Sequence, residues 1–502
     1  MRAAALATLR APATRACRAR LLARALVIAF TAWLAGCASK HPAATTPPAA
    51  AAGGSREASA ALFAPSALAA WWDAHRVALP TAPLLTHADV VDAATRAVDA
   101  AAGRVGREVI GRSVEGRDLL HLTVGRGPMP VLLWSQMHGD EPSATPAIFD
   151  LLEWIRRERG SAAVQRLEAR LTIHLVPMLN PDGAERFVRR NAQGIDINRD
   201  ALHLQTPEGR ALKALRDRVQ PVLGFNLHNQ NGQTSAGSPP KAATISLLAV
   251  AHDAARSDSP RRKVARQTAA IVREALEPLI PGQVGRYSDE FEVRAFGDNL
   301  GRWGTAVVLI ESGPLADADP DQALVRLNFV ALVTALDALA SGRAAAHATT
   351  AYDTLPLNES NLLSIRVRNA TIVAGTAVPP FLGDVGINVS RSLAREPGPR
   401  RLDPAARIAD IGDLRVYGAL EDIDGTGLTV APAFDATAAE GALLRMPDWS
   451  MWRGSTLTVG QPGAVFLLSP SPQPSPADAA TGATLSENWR LVRRIQVRTA
   501  LP

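Results

Sequence analysis

Four short apolar runs, each followed by a cluster of polar residues, constrain the fold of this 502-residue chain more than any other feature. Val131 to Trp134 leads into Ser135-Gln136-Met137-His138-Gly139-Asp140-Glu141-Pro142, and Leu171 to Val176 precedes Asn180-Pro181-Asp182-Gly183. Val222 to Leu227 ends in His228, and Val307 to Ile310 ends in Glu311-Ser312-Gly313. Apolar runs this short, bounded by turn formers, read as buried strands. Between and around them lie helical patterns: Leu68 to Val77, Val90 to Ala102, Ser143 to Arg159, Pro207 to Val219 with Thr206 as N-cap, Arg261 to Leu279, and Ala323 to Leu339. Val105 to Val124 reads as a hairpin broken by Gly111-Arg112-Ser113-Val114-Glu115-Gly116-Arg117. Strands alternating with helices argue for an α/β fold, a mostly parallel or mixed central sheet covered by helices on both faces. The polar clusters then fall at strand carboxyl ends, where such sheets bind ligands.

The residue types in those clusters carry chemistry. An imidazole and a carboxylate three residues apart, His138 and Glu141, make a good bidentate offer to Zn²⁺, which for catalysis takes a third protein ligand and keeps an open position. Alone the pair says little, because a surface His-x-x-Glu arises by chance. Two more clusters follow Asn180-Pro181-Asp182-Gly183: Arg189-Arg190-Asn191 and Gly194-Ile195-Asp196-Ile197-Asn198-Arg199. In this order and grouping, over roughly residues 105 to 340, the chain resembles the carboxypeptidase A-like zinc metallocarboxypeptidases. That family's pattern is His-x-x-Glu, Asn-Pro-Asp-Gly, Arg-x-Asn, Asn-Arg, a distant His after a strand and a Glu after the last strand.

The resemblance implies one Zn²⁺ per chain, held by His138, Glu141 and His228. The ion would polarise the scissile carbonyl and acidify an attacking water. Glu311 would take the water's proton and pass it to the leaving amine, and Arg189 would stabilise the oxyanion. Arg190 is an equal-looking neighbour; only the Arg-x-Asn spacing selects Arg189. Asn198 and Arg199 would grip the substrate's C-terminal carboxylate, the Arg in bidentate fashion. The family's mobile Tyr upstream of the catalytic Glu falls on Tyr287, the only Tyr in that window. Arg294 lies where a specificity-pocket residue would fall and would favour acidic terminal side chains. His121, His174 and His203 read as strand or surface histidines, and Asp182 as turn chemistry.

Composition excludes some partners. Hydrophobic residues make up 47% and charged residues 20%, which suits a globular core. The formal charge of +6 invites a nucleic-acid reading, but residues 1–36 hold six Arg and no acid or Lys, which accounts for all of it. An Arg-rich start, the apolar stretch Ala25 to Ala35 and Leu34-Ala35-Gly36-Cys37 resemble a bacterial lipoprotein signal, in which Cys37 is lipidated and becomes the mature N-terminus. A plain secretory signal with a chance Cys is the alternative. Residues 37–60 read as a flexible tether. These features predict an exported protein, lipid-anchored in the cell envelope, with Ala38 pointing to the periplasmic face of the outer membrane.

Residues 61–345 form the expected catalytic domain, 346–360 a linker, and 361–502 a small all-β accessory domain. Its expected strands are Leu362 to Val367, Thr371 to Val373, Val385 to Val389, Ile408 to Ile411 and Leu428 to Val430. Parts of this region resemble the β-sandwich subdomain of amidohydrolases, without that family's metal-binding His-x-His. The reading is a zinc metallocarboxypeptidase acting on peptides of the bacterial cell envelope. Two alternatives stand beside it: a zinc amidase or deacylase acting on small acyl-amino acids, and a non-catalytic binding lipoprotein on the same scaffold.

Overall fold

Strands buried along most of their length form the centre of the main sheet. The computed structural model describes residues 64–376, 378–461, 464–471 and 488–495. The expected signal peptide 1–36, Cys37 and the tether 37–60 lie outside the described residues. The catalytic-domain strands are β1 (Val105–Arg112), β2 (Asp118–Val124), β3 (Met129–Trp134), β4 (Leu171–Val176), β5 (Leu223–Asn229), β6 (Ser235–Ala236), β7 (Lys241–Ala242), β8 (Ile245–Ala249), β9 (Val284–Arg286) and β10 (Ala306–Ser312). The main sheet has the order β1-β2-β4-β3-β5-β10-β8-β9. Its four central neighbours β4, β3, β5 and β10 are mutually parallel. All seven residues of β10 are buried, the mark of a strand covered on both faces.

Alternation along the strands divides the core. Val131, Leu133, Phe225, Leu227, Val308 and Ile310 point to one face, where they meet the larger apolar cluster. Leu132, Trp134, Val307 and Leu309 point to the other. The helices are α1 (Pro65–His75), α2 (His87–Ala100), α3 (Ala144–Arg157), α4 (Ala162–Arg170), α5 (Pro181–Arg186), α6 (Pro207–Val219), α7 (Pro260–Leu276), α8 (Phe296–Arg302) and α9 (Pro320–Ala340). Residues of α1, α3, α7 and α9 cover the first face; Leu212 and Leu215 of α6 and Phe296 and Leu300 of α8 cover the second. α9 is long and apolar enough to cross a bilayer, yet its most apolar window is 94% buried, so it is the core helix of this fold.

A local signal accounts for the start of α6. Thr206 Oγ1 accepts from Gly209 N at 3.0 Å and Pro207 occupies the first turn of α6. α4, α5 and α8 have no counterpart in the sequence reading. α5 and α8 span only six and seven residues, too short for periodicity to register, and α4 is marked chiefly by its Ser161 cap.

The stretch expected as a linker, 346–360, is packed instead. Tyr352 is buried and its hydroxyl accepts from Ala249 N at 2.9 Å. The next strand, β11 (Asn358–Glu359), pairs with β6. Beyond it lie β12 (Leu362–Ile372), β13 (Phe381–Leu393), β14 (Leu402–Gly412), β15 (Gly418–Asp424), β16 (Thr429–Pro432), β17 (Leu443–Arg445), β18 (Val465–Ser471) and β19 (Asn488–Ile495). They form an all-β region in the order β14-β13-β12-β16-β18-β19-β17, with β15 also on β12. The expected strands at Leu362 and Thr371 are one strand, β12, with a register shift between Val367 and Ala370 and Asn369 at φ +54°. A bulge breaks the period-two pattern that marks a strand, so the sequence reads as two.

Candidate active site

The ends of β3, β5 and β10 and the loop after α5 converge on one cavity of about 590 Å³. His138 and Glu141 come from the loop after β3, and His228 from β5 itself. Gly139 explains how the first loop folds. A Cβ there would lie 2.0 Å from the carbonyl carbon of Gly183, so the loop rests backbone to backbone on the Asn180-Pro181-Asp182-Gly183 turn. Asn180 Oδ1 accepts from Gly183 N at 2.9 Å while its Nδ2 donates to the Arg189 carbonyl at 3.2 Å. This motif therefore serves the site through its backbone. Asp182 accepts from Ser113 Oγ at 2.7 Å, Glu115 N at 3.0 Å and Arg117 Nη1 at 2.6 Å, tying the β1–β2 turn to it.

His138, Glu141 and His228 are buried, and their ligand atoms lie within 4.8 Å of one another. The two imidazole Nδ1 atoms are 3.2 Å apart. Glu141 Oε1 lies 2.8 Å from His138 Nδ1, and its Oε2 lies 2.6 Å from His228 Nδ1. Ligand atoms about 2.0–2.2 Å from a tetrahedral zinc stand roughly 3.3 Å apart, so the donor set and its spacing fit this ion. The electrostatics agree. Burial opposes a proton on His138, but Glu141 and Asp196 outweigh it and lift His138 to about 9. Burial would raise Glu141, yet the two histidines hold it well below the usual carboxylate range. Complete burial pushes His228 down. Glu141 and Asp196 thus make the surroundings of the buried His138 electronegative, which suits a bound cation.

Asp196 is the functional residue that the sequence reading missed. Its Oδ1 accepts from His138 Nε2 at 3.1 Å and from Asn198 N at 2.9 Å. A carboxylate behind a ligating imidazole fixes its tautomer and orientation. Asp196 stands in the quoted Gly194-to-Arg199 cluster, but only the fold brings it to His138, 58 positions away. His228 Nε2 is buried with no hydrogen-bond partner among the described residues, so strand geometry and packing orient that ring.

Of the remaining predicted residues, Arg189, Asn198, Arg199, Tyr287 and Glu311 line the same cavity. Arg189 Nη1 reaches Glu141 Oε1 and His138 Nδ1, both at 3.0 Å, and Nε lies 3.1 Å from Asp196 Oδ2. Glu311 is buried, and its Oε2 has no hydrogen-bond partner among the described residues. Burial and then Glu141 raise its pKa well above the usual range, as befits a proton acceptor. Tyr287 is 40% exposed, and its pKa is raised by burial and then by Glu311. Arg199 Nη1 donates to the Asn198 carbonyl at 2.8 Å and Nε sits 3.4 Å from Glu292 Oε2. Asn198 Oδ1 accepts from Phe296 N at 2.9 Å, anchoring the turn against α8. Arg294 is not among the cavity residues. It is exposed and pairs with Glu292 at 3.1 Å, while Glu290, Glu292 and Asp298 give the cavity an acidic wall.

Part of the chain is similar to known proteins. Residues 92–270 match the family model described as zinc carboxypeptidase. Over those residues the chain is similar to a zinc carboxypeptidase domain. His138, Glu141, Arg189, Asn198, Arg199 and His228 fall inside the matched stretch, and Tyr287 and Glu311 beyond it. Carboxypeptidase SOL1 of Arabidopsis thaliana is 31% identical over 136 residues, covering 24% of this chain and 28% of the relative. Carboxypeptidase Z of Mus musculus is 32% identical over 112 residues, covering 18% and 17%. The matches thus span less than a third of these relatives' length. Among solved structures, a metallo-carboxypeptidase from Pseudomonas aeruginosa aligns with a TM-score of 0.40 at 23% identity, covering 49% of this chain and 67% of that one.

Proposed function

We propose that this protein is a zinc-dependent metallocarboxypeptidase that removes C-terminal residues from peptides in the bacterial cell envelope, where lipid on Cys37 anchors it. The observation that carries the catalytic reading is the convergence of His138, Glu141 and His228 beside the buried Glu311 and the Arg189 guanidinium. A zinc ion bound by the triad supplies Lewis-acid polarisation of the carbonyl and an acidified water. Glu311, with its raised proton affinity, takes the water's proton and returns it to the departing amine. Arg189 stabilises charge developing on the carbonyl oxygen, an effect commonly worth about 2.7–4 kcal/mol for one donor. Arg199 and Asn198 hold the free carboxylate at the other end of the cavity wall, and Tyr287 covers the substrate.

The acidic wall at Glu290, Glu292 and Asp298 supports a cationic terminal side chain, the opposite of the preference that Arg294 would impose. The envelope placement rests on the N-terminal sequence alone. The deciding experiment incubates the purified protein with a library of free-acid peptides and reads products by mass spectrometry. Stepwise loss of single C-terminal residues supports the proposal. Release only of acyl groups from acyl-amino acids favours an amidase, and intact peptides with bound zinc favour a non-catalytic scaffold.

A further inference from the structure

The strand that leads into the all-β domain reaches back into the active-site cavity. Asn358, Glu359 and Ser360 line it, although they follow the last catalytic helix in sequence. Asn358 makes the most pointed contacts. Its Nδ2 donates to Gln230 Oε1 at 3.0 Å and its Oδ1 accepts from Ser246 Oγ at 2.9 Å. Gln230 Nε2 in turn donates to Ser246 Oγ at 2.9 Å. The three side chains close a ring in which each donor meets an acceptor, and a fully satisfied polar ring rigidifies its surroundings.

Each corner of the ring belongs to a different catalytic element. Gln230 lies two residues beyond His228, and its backbone N donates to Ser312 O at 2.8 Å, next to Glu311. Ser246, fully buried, is the cross-strand register partner of Glu311 on β8. Asn358 lies against Gly285, two residues before Tyr287. A Cβ on Gly285 would stand 2.3 Å from Asn358 Oδ1 and 3.2 Å from Ser246 Oγ, so only glycine admits the ring. Arg286 N donates to Pro356 O at 2.8 Å, fastening the same wall.

We infer that Asn358 is a positioning residue for the hydrolysis: by closing the ring with Gln230 and Ser246 it holds together the three cavity walls that carry His228, Glu311 and Tyr287. The strand that connects the catalytic region to the all-β region is thereby part of the working active site. This inference rests on the metallocarboxypeptidase reading.

The test compares wild type, Asn358→Ala, Ser246→Ala, the double variant and Arg391→Ala, using an N-acylated dipeptide with a free terminal carboxylate. Arg391 pairs with Asp321 across the same two domains, at 2.7 and 2.8 Å, and touches none of the ring. Zinc content, melting temperature, kcat and KM are measured for each. Asn358→Ala and Ser246→Ala should each lower kcat about tenfold or more with KM within roughly threefold and zinc unchanged. The double variant should fall little further, because both break one network, and Arg391→Ala should keep its kcat. Should Asn358→Ala fail to fold, Ser246→Ala opens the ring from the other side and carries the same expectation. An unchanged kcat in zinc-loaded ring variants, additive losses, or an equal loss in Arg391→Ala overturns the inference alone. Zinc-loaded wild type that releases no terminal residue overturns the peptidase reading and the inference together.

Discussion

His228 and Glu311 are register partners on the adjacent parallel strands β5 and β10. Neighbouring strands run about 4.8 Å apart, and alternation turns both side chains to the face shared by Val307 and Leu309. A ligand and a proton acceptor are thus held level by two ladders of backbone hydrogen bonds rather than by loops. Glu311→Gln keeps the shape and removes the base. We expect kcat to fall by ~10²–10⁴ with zinc content unchanged. Near-normal turnover in that variant would remove Glu311 from the mechanism.

Metal binding should depend on the triad and on the carboxylate behind it. His228→Ala is expected to lose zinc by elemental analysis. Asp196→Asn, which weakens the hold on His138, should lower zinc affinity by about 10–100-fold in a chelator competition. Equal affinity in wild type and Asp196→Asn would mean that the contact does not tune the ligand.

Arg199 offers two parallel donors to a carboxylate, a fork that Lys lacks. Peptides with a free terminal acid should be cleaved far faster than their C-terminal amides. Arg199→Ala should reduce that ratio by about tenfold or more, through loss of the acid substrate alone. Equal rates on acid and amide in wild type would refute the exopeptidase assignment.

Burial lifts Asp298 to about 6. If its carboxylate faces the terminal side chain, KM for a lysine-terminated peptide rises as pH falls through about 6, where the charge is lost. Asp298→Asn should flatten that rise and narrow the preference for lysine over glutamate. A profile identical in both proteins would place side-chain recognition elsewhere.

His121 and His174, expected as strand or surface histidines, stack at 5.1 Å. His174 Nδ1 lies 3.0 Å from His121 Nε2, and His121 Nδ1 lies 2.7 Å from Glu108 Oε1. Burial, followed by His121 and Arg218, lowers His174 to about 4, so the folded state resists a proton that the unfolded chain accepts near pH 6.5. Stability should therefore decline as pH falls from about 6.5 to about 4, then level off. His174→Gln keeps a donor towards His121 without titrating, and should show a shallower acid-side loss of melting temperature. An unchanged slope would assign the acid sensitivity to other groups.

Sequence alone determined the parts of this protein that local pattern encodes. Apolar runs located β3, β4, β5 and β10 to within a residue or two, because central strands buried along most of their length carry few polar positions to blur the run. The Thr206 cap and Pro207 marked the start of α6, since a helix end must satisfy its own backbone donors nearby. His138 and Glu141, three residues apart in one loop, were legible for the same reason, and His228 and Glu311 through the strands that end in them. Only the tertiary structure decided which distant groups face each other. It set Asp196 behind His138, stacked His121 on His174, turned Arg294 outward onto Glu292, and folded the supposed linker back so that Asn358 meets Gln230 and Ser246. Periodicity reports which side of an element meets water, whereas a hydrogen bond between residues more than a hundred positions apart depends on how sheets, loops and domains pack.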